Sequence, residues 1–390
     1  MTMKKVIKWF VVCIILIIIL IFIALGLCIY FINPNDFKPI IAYQFKKYLH
    51  YEITIDGDLA WTFFPMLNIE AGHIHVQSLP DAKQFISVDA ENTTIQIKLN
   101  PLLHKQIEIS GVRIKGGHLN YNGLELTNIH LQSSFINNLL VVNPITANLY
   151  QGTLVGKITI DFGGAKPTLA ADADLKHIQT DEFFNALSHK KLKININAFG
   201  DANISVNTSG KDTKAMVKNL MGSGQINFKN GILTGVNLDS IIDRALVLLK
   251  EKPALLKENN QTVFDQLNGT IQIQNGNFLN DDLLITSQLF VAHGHGKIDL
   301  PSHWINYLLS ITIQKNLSNN LVSLTNTAIP VAIRGELNDP TVSLDAGQFL
   351  KELTVKQWDR LNPSDKEKLK EKIQQAVPGK AGQLLQQLIR

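Results

Sequence analysis

Along most of its length the chain places apolar residues at every second position and fills the gaps with Asn, Gln, Thr, Lys and Asp. The runs include Ile53 and Ile55; Ile95, Ile97 and Leu99; Ile107 and Ile109; Ile158 and Ile160; Ile194 and Ile196; Ile204 and Val206. Successive side chains of a strand point to opposite faces, so a period of two predicts strands with one apolar and one wet face. Gly116-Gly117, Asn122-Gly123, Gly163-Gly164 and Asn268-Gly269 read as the turns between them. A sheet of one-sided strands must take its apolar face out of water. It does so by closing into a barrel, by pairing in a sandwich, or by loading that face with an apolar ligand.

One piece of the pattern repeats. NFKNGILTG is echoed by QIQNGNFLN, with the Asn-Gly pair 45 residues later and the shared spacing Gly-x-Ile-x-apolar-x-Asn-Gly starting at Gly224 and Gly269. Asn-Gly suits a two-residue hairpin loop, whose central positions both need positive φ. Both copies are therefore expected to be hairpins that lengthen a sheet.

Helical spacing interrupts the strands in a few places. In residues 36–49, Phe37, Ile40, Ile41, Phe45 and Leu49 predict a short amphipathic helix, lying on a membrane surface or under the first sheet. Over residues 237–251, Asn237 is a capping residue for a stripe of Leu238, Ile241, Ile242, Ala245, Leu246 and Leu249, which covers one end or face of the sheet. Ser364 with Glu367 forms a capping-box pattern for a charged helix ending before Pro378-Gly379, and Leu384, Leu385, Leu388 and Ile389 extend the amphipathic C-terminus.

Residues 9–32 read WFVVCIILIIILIFIALGLCIYFI, 24 residues without a charge. At 1.5 Å per residue such a helix is about 36 Å long, enough for a hydrocarbon core of ~30 Å. Trp9 and Tyr30 stand at its two edges, and Lys4, Lys5 and Lys8 precede it. A cleavable signal would have a shorter apolar core, about 7–15 residues, followed by small residues. Here Ile29, Tyr30, Phe31 and Ile32 follow, and Leu27 before Cys28 does not fit a lipoprotein site. A retained anchor is expected, with the N-terminus in the cytoplasm, although Lys38, Lys46 and Lys47 balance the charge on the far side. The expected organisation is a cytoplasmic tail (1–8), a transmembrane helix (9–32), a first β region (33–220), a second β region (221–346) and C-terminal helices (347–390).

Composition removes several function classes. Apolar content of 45%, charged content of 18% and a net charge of +4 do not suit a nucleic-acid-binding chain, and no lysine run exceeds two residues. Cys13 and Cys28 both fall in the apolar run, so the body carries no disulfide framework. His73 with His75 and His293 with His295 each place two imidazoles on one face of a strand. A metal site needs further ligands, and neither pair has a third histidine or a carboxylate at ligand spacing. Gly294-His295-Gly296-Lys297 lacks the spacing and the Ser or Thr of a phosphate loop, since Ile298 follows. No catalytic, metal or cofactor residue is assigned, and an enzyme built on the histidine pairs is the weakest of the readings.

The motifs in order resemble the AsmA family. They are Tyr51-Glu52-Ile53, Gly57-Asp58-Leu59 with Trp61, Phe64-Pro65, Asn100-Pro101-Leu102-Leu103, GQINFKNGILTGVNLDSII, and the closing IPVAIRGELNDPTVSLD. The resemblance implies an inner-membrane anchor with the body in the periplasm of a Gram-negative bacterium. It also implies kinship with repeating β-groove lipid-transfer proteins. The expected fold is mainly β with a few helices: a transmembrane helix followed by an elongated, curved, mostly antiparallel sheet forming an apolar groove. Ile95, Ile97, Leu99, Ile107, Ile109, Ile194 and Ile196 are its candidate floor. The expected function is binding or conducting lipid in support of outer-membrane lipid balance. The expected partners are phospholipid or another envelope lipid, the inner membrane, and an envelope protein at the distal end; nucleic acid is not among them. The alternative is an assembly or quality-control factor that binds envelope proteins by strand addition.

Overall fold

The computed structural model describes residues 33–62, 67–82, 84–98, 101, 108–188, 192–248, 260–314, 327–349, 351 and 352. The apolar run with Trp9 and Tyr30, the groove candidates Leu99 and Ile107, and the C-terminal segment after residue 352 lie outside these residues. Among the described residues no helix is long and apolar enough to cross a membrane. They are mainly strand, with 18 strands and a few short helices, and every strand pair with an assigned register below is antiparallel. By packing, the chain divides into two compact units between Ala173 and Asp174.

The first unit opens with a 3-10 turn, Pro34–Phe37, then α1, Lys38–Gln44, and a π turn, Phe45–Leu49. His50 adopts positive φ and turns the chain into β1, Tyr51–Asp56. β2 (Ala60–Thr62), β3 (Asn68–Ala71), β4 (His73–Ser78) and β5 (Ile86–Ile97) follow. β4 and β3 lie one after the other along β5, with Ile74 opposite Ala90 and Ile69 opposite Ile95. β1 pairs with β4, and β2 pairs with β3. The Gly-x-Leu-x-Trp motif acts here: Leu59 and Trp61, two apart, join Ile69, Ala71 and Ile97 in a small core at this corner. From β5 a simple meander runs through β6 (Ile109–Tyr121), β7 (Leu124–Ile136), β8 (Leu139–Leu149) and β9 (Gly152–Asp161). Asn122-Gly123 makes the expected tight turn between β6 and β7, with φ of 49° and 93°. Gly116-Gly117, by contrast, lies inside β6.

The division between the units falls inside β10, Thr168–Gln179. The second unit continues with α2 (Thr180–Ser188), β11 (Asn195–Ser209), α3 (Thr213–Lys218), β12 (Met221–Thr234) and α4 (Leu238–Leu248). β13 (Gln261–Gln274), β14 (Asn277–Thr286), β15 (Phe290–Asp299), β16 (Trp304–Ile313), β17 (Ile329–Glu336) and β18 (Asp339–Leu344) complete it. Each strand from β11 to β18 pairs with its sequence neighbour.

The two Asn-Gly copies part company. Asn275-Gly276 is a hairpin turn, with Gln274 opposite Asn277 and φ of 52° and 75°. Asn230-Gly231 is not a turn. It sits inside β12, where Asn230 takes positive φ in a bulge and the strand runs on. Gly231 is needed there for space: a Cβ would lie 2.4 Å from Phe264 Cζ and 2.6 Å from the Ala198 Cβ. Both sites ask for positive φ at asparagine, and only the partner strand decides between turn and bulge. Gly269 likewise falls within β13.

Candidate functional site

The apolar face of the first unit is laid down by register. Ile114 on β6 stands opposite Leu131 on β7, Leu131 opposite Ile145 on β8, and Ile145 opposite Gly156 on β9. A second row pairs Val142 with Ile158. Paired residues share a face, so these side chains form one apolar floor, and all of them are half-buried rather than enclosed. The other face carries Lys115, His130 and Thr146 in register. Among the described residues, β6 to β9 make their extensive contacts with neighbouring strands and with no helix. A polar side chain on this face, Ser133, is tied down: its hydroxyl accepts from Val112 N at 2.9 Å and donates to Val112 O at 3.1 Å. On β5 the Ile114 row ends at the buried Thr93. With strands ~4.8 Å apart, β6 to β9 give roughly 14 Å of floor, close to the ~15 Å of the half-bilayer that one acyl tail fills.

The second unit solves the same problem partly by packing. Phe228, Leu267, Ile285, Ala292, Ile311 and Ile329 form one row across β12 to β17, and each is nearly inaccessible. In the same core lie Leu238, Ile241, Ile242, Ala245 and Leu246 of α4. Asn237 Oδ1 accepts from Ser240 N at 2.9 Å, and Thr262 Oγ1 accepts from Leu238 N at 3.0 Å, so the helix start is satisfied from both its own cap and the sheet. A parallel row, Gly222, Ile273, Phe278, Ile298, Ile305 and Gly335, shares that face. Most of it is half-buried, with Ile273 the enclosed exception. Between the rows stands one polar pair, the Tyr307 hydroxyl donating to Asn280 Oδ1. Burial pushes the Tyr307 phenol above its usual pKa. Nearby, the Thr270 backbone N–H holds the Asp282 carboxyl below the usual range.

Five of the seven groove candidates lie among the described residues, and within the first unit Ile95, Ile97 and Ile109 share a face with Ile114, Ile95 standing opposite Val112 and Ile97 opposite Ile109. Ile97 is 5% exposed in the corner core of the first unit, with Ile95 packed beside it, while Ile109, opposite Ile97, is 46% exposed. Ile194 and Ile196 pack against the α4-covered core of the second unit. Leu99 and Ile107 are outside the described residues. The floor residues that sequence reasoning passed over were Ile114, Leu131, Ile145 and Val142. Their alternation was visible, but the strands around them are broken by bulges, at Asn128 and near Val142, that reset the period.

The histidine pairs separate in the same way. His293 and His295 are exposed on the wet face of β15. His73 and His75 are not alone: β1 brings Asp56 Oδ2 to 3.1 Å from His73 Nδ1, and β5 brings Asp89 Oδ1 to 2.7 Å from His75 Nδ1 and 3.4 Å from His73 Nε2. These carboxylates are cross-strand partners, invisible to local spacing. The hydrogen bond to Asp89 holds the His75 pKa above 6.5 against the opposing effect of burial. Among the described residues no group of three or more His, Cys, Asp or Glu is arranged to hold a metal ion.

The profile described as "AsmA family" matches residues 3–121 and 111–283, most of the chain. The chain belongs to the AsmA family. A curated AsmA relative, "Protein AsmA" of Escherichia coli (strain K12), is 29% identical over 85 residues, which is 22% of this chain and 14% of that protein. The chain thus aligns with about one-seventh of the length of this AsmA relative. The family match spans the first unit from residue 3 and the second into β14, so the floor and the start of the α4-capped core both lie within its AsmA-like part.

Proposed function

We propose that this AsmA-family protein binds lipid acyl chains on the apolar face of β6 to β9 and carries or conducts them within a bacterial envelope, held to the inner membrane by residues 9–32. The observation that supports it best is the in-register row of Ile114, Leu131 and Ile145, apolar, half-exposed and without a helix over it among the described residues. An apolar face of this kind is costly in water, and each methylene it covers contributes about 0.8 kcal/mol. The second unit shows the other way to cover such a face, with α4, so the bare floor of the first unit is a property of that unit and not of one-sided sheets in general. The function needs no catalytic group, and the floor presents none.

The full chain, purified in a mild detergent, is to be examined by native mass spectrometry with lipid extraction. Co-purifying phospholipid at about one or more per chain supports the assignment. A bound polypeptide in its place would favour the strand-addition alternative, and a chain free of both would refute lipid carriage by this face.

A further inference from the structure

The segment between the apolar run and β1 has a surface of its own. Neither α1 nor the π turn after it holds a buried residue. Ile40, Tyr43, Tyr48 and Leu49 are 54%, 59%, 64% and 54% exposed, a density of large exposed apolar groups that the described sheets do not match. The opposite side, with Ile41 and Phe45 half-buried, packs toward β1. The segment is also pinned. Asn35 Oδ1 accepts from Leu59 N at 2.9 Å, Asn35 Nδ2 donates to Leu59 O at 3.4 Å, and Lys38 Nζ donates to Gly57 O. It therefore does not rotate freely to hide its outer side chains.

We infer that Ile40, Tyr43, Lys47, Tyr48 and Leu49 form a surface that lies on the anionic phospholipid bilayer itself. Lys47 Nζ stands 5.3 Å from the Tyr43 ring and 5.1 Å from the Tyr48 ring, an ammonium on an aromatic shelf. Rings with a polar tip and lysines with an apolar stem are the side chains that settle at a membrane interface. Lys46 adds a second cation, paired with Glu52 at 3.4 Å on the exposed surface. The bilayer is the occupant because of where the preceding chain ends. The uncharged run of 24 residues stops at Ile32, and Lys38 follows six residues later. Six residues reach at most about 20 Å, so a chain leaving the bilayer at Ile32 holds this surface near the headgroups. The consequence is orientation: β1 and its neighbours start at the level from which lipid would enter. This inference rests on the anchor assignment for residues 9–32.

The test uses the full chain in phosphatidylcholine–phosphatidylglycerol nanodiscs, with Cys13→Ala and Cys28→Ala as background. Tyr43→Cys and, on the wet face of β7, Ser134→Cys are each labelled with an environment-sensitive fluorophore. The expected result is emission at shorter wavelength and quenching by headgroup-region nitroxide lipid for the label at position 43, and neither for the label at 134. A label at 43 as water-exposed as that at 134 overturns the inference. A third sample, Cys13→Ala labelled at Cys28, separates the two assignments. If Cys28 is shielded by lipid while position 43 is in water, only the interfacial surface fails; if Cys28 is in water, the anchor fails and the inference with it.

Discussion

Ile97 and the pair Ile114 and Ile145 look alike in sequence, each an isoleucine in an alternating run, yet the structure assigns them opposite responses to a charge. Ile97 is 5% exposed among Leu59, Ile69 and Ala71. Ile97→Asp forfeits about 2–3 kcal/mol of apolar burial and adds a desolvated carboxyl costing several kcal/mol more. Together these are a large share of the roughly 5–15 kcal/mol that holds a domain folded. Ile114 and Ile145 are half-buried, on strands separated by β7. Each aspartate there gives up roughly half of a side chain's burial, about 1 kcal/mol, and the two charges are about 10 Å apart, near the screening length in physiological salt. The double variant Ile114→Asp with Ile145→Asp is thus expected to lose about 2 kcal/mol and stay folded. Under a bound acyl chain the same carboxylates must be desolvated or protonated, at a cost of several kcal/mol for the pair, so lipid affinity falls by roughly a hundredfold or more. Circular-dichroism melts alongside lipid recovery from the full chain read both effects. Lipid retained at the wild-type ratio by a folded double variant, or unfolding of the double variant as complete as that of Ile97→Asp, would refute the division between floor and core.

Other substitutions probe the parts that support the floor. The His75–Asp89 contact raises the folded pKa of His75 above 6.5, so its stabilisation is full below pH 6.5 and disappears as pH rises through the folded pKa; Asp89→Asn should flatten that part of the stability–pH profile, measured by denaturant titration at several pH values. Gly231→Ala places a methyl against Phe264 and Ala198 and should cost about 1–3 kcal/mol, seen as a lowered melting midpoint. Asn237→Ala removes the cap of α4 and should cost about 1 kcal/mol by the same measurement. His293→Asn with His295→Asn, both on the wet face, should leave lipid recovery and stability within error of the parent chain.

The strands were legible because alternation is local: Ile158 with Ile160 and Ile204 with Val206 fall in β9 and β11 as their spacing requires. α4 was legible for the same reason, and its stripe of Leu238, Ile241, Ile242, Ala245 and Leu246 is the face it buries. The short helices α2 and α3 were missed, although Asp212, whose side chain accepts from Ala215 N, is a capping signal. One or two turns contribute too few periods to stand out against a β background. What lies across the sheet was not legible at all. Nothing near His75 announces Asp89, 14 residues away, and nothing near Ile97 shows that Leu59 covers it while Ile145 stays bare. Coverage is decided by which element folds back over a strand, and alternation reports only which way a side chain points.

Pairing of each strand with its sequence neighbour, from β11 to β18, also bears on how such a chain becomes structured. Contacts between neighbours in sequence carry little loop-closure cost, so low contact order favours rapid, sequential folding. A chain delivered from its N-terminal end can dock each new strand on the edge left by the last, without waiting for a distant partner. At every stage one growing edge, rather than several, is open to mispairing with another molecule. The α4 segment arrives between β12 and β13, before most of the strands whose side chains it covers. It is therefore present as a template when Phe264, Phe290 and Ile311 emerge, and the core closes in the order in which the polypeptide is supplied.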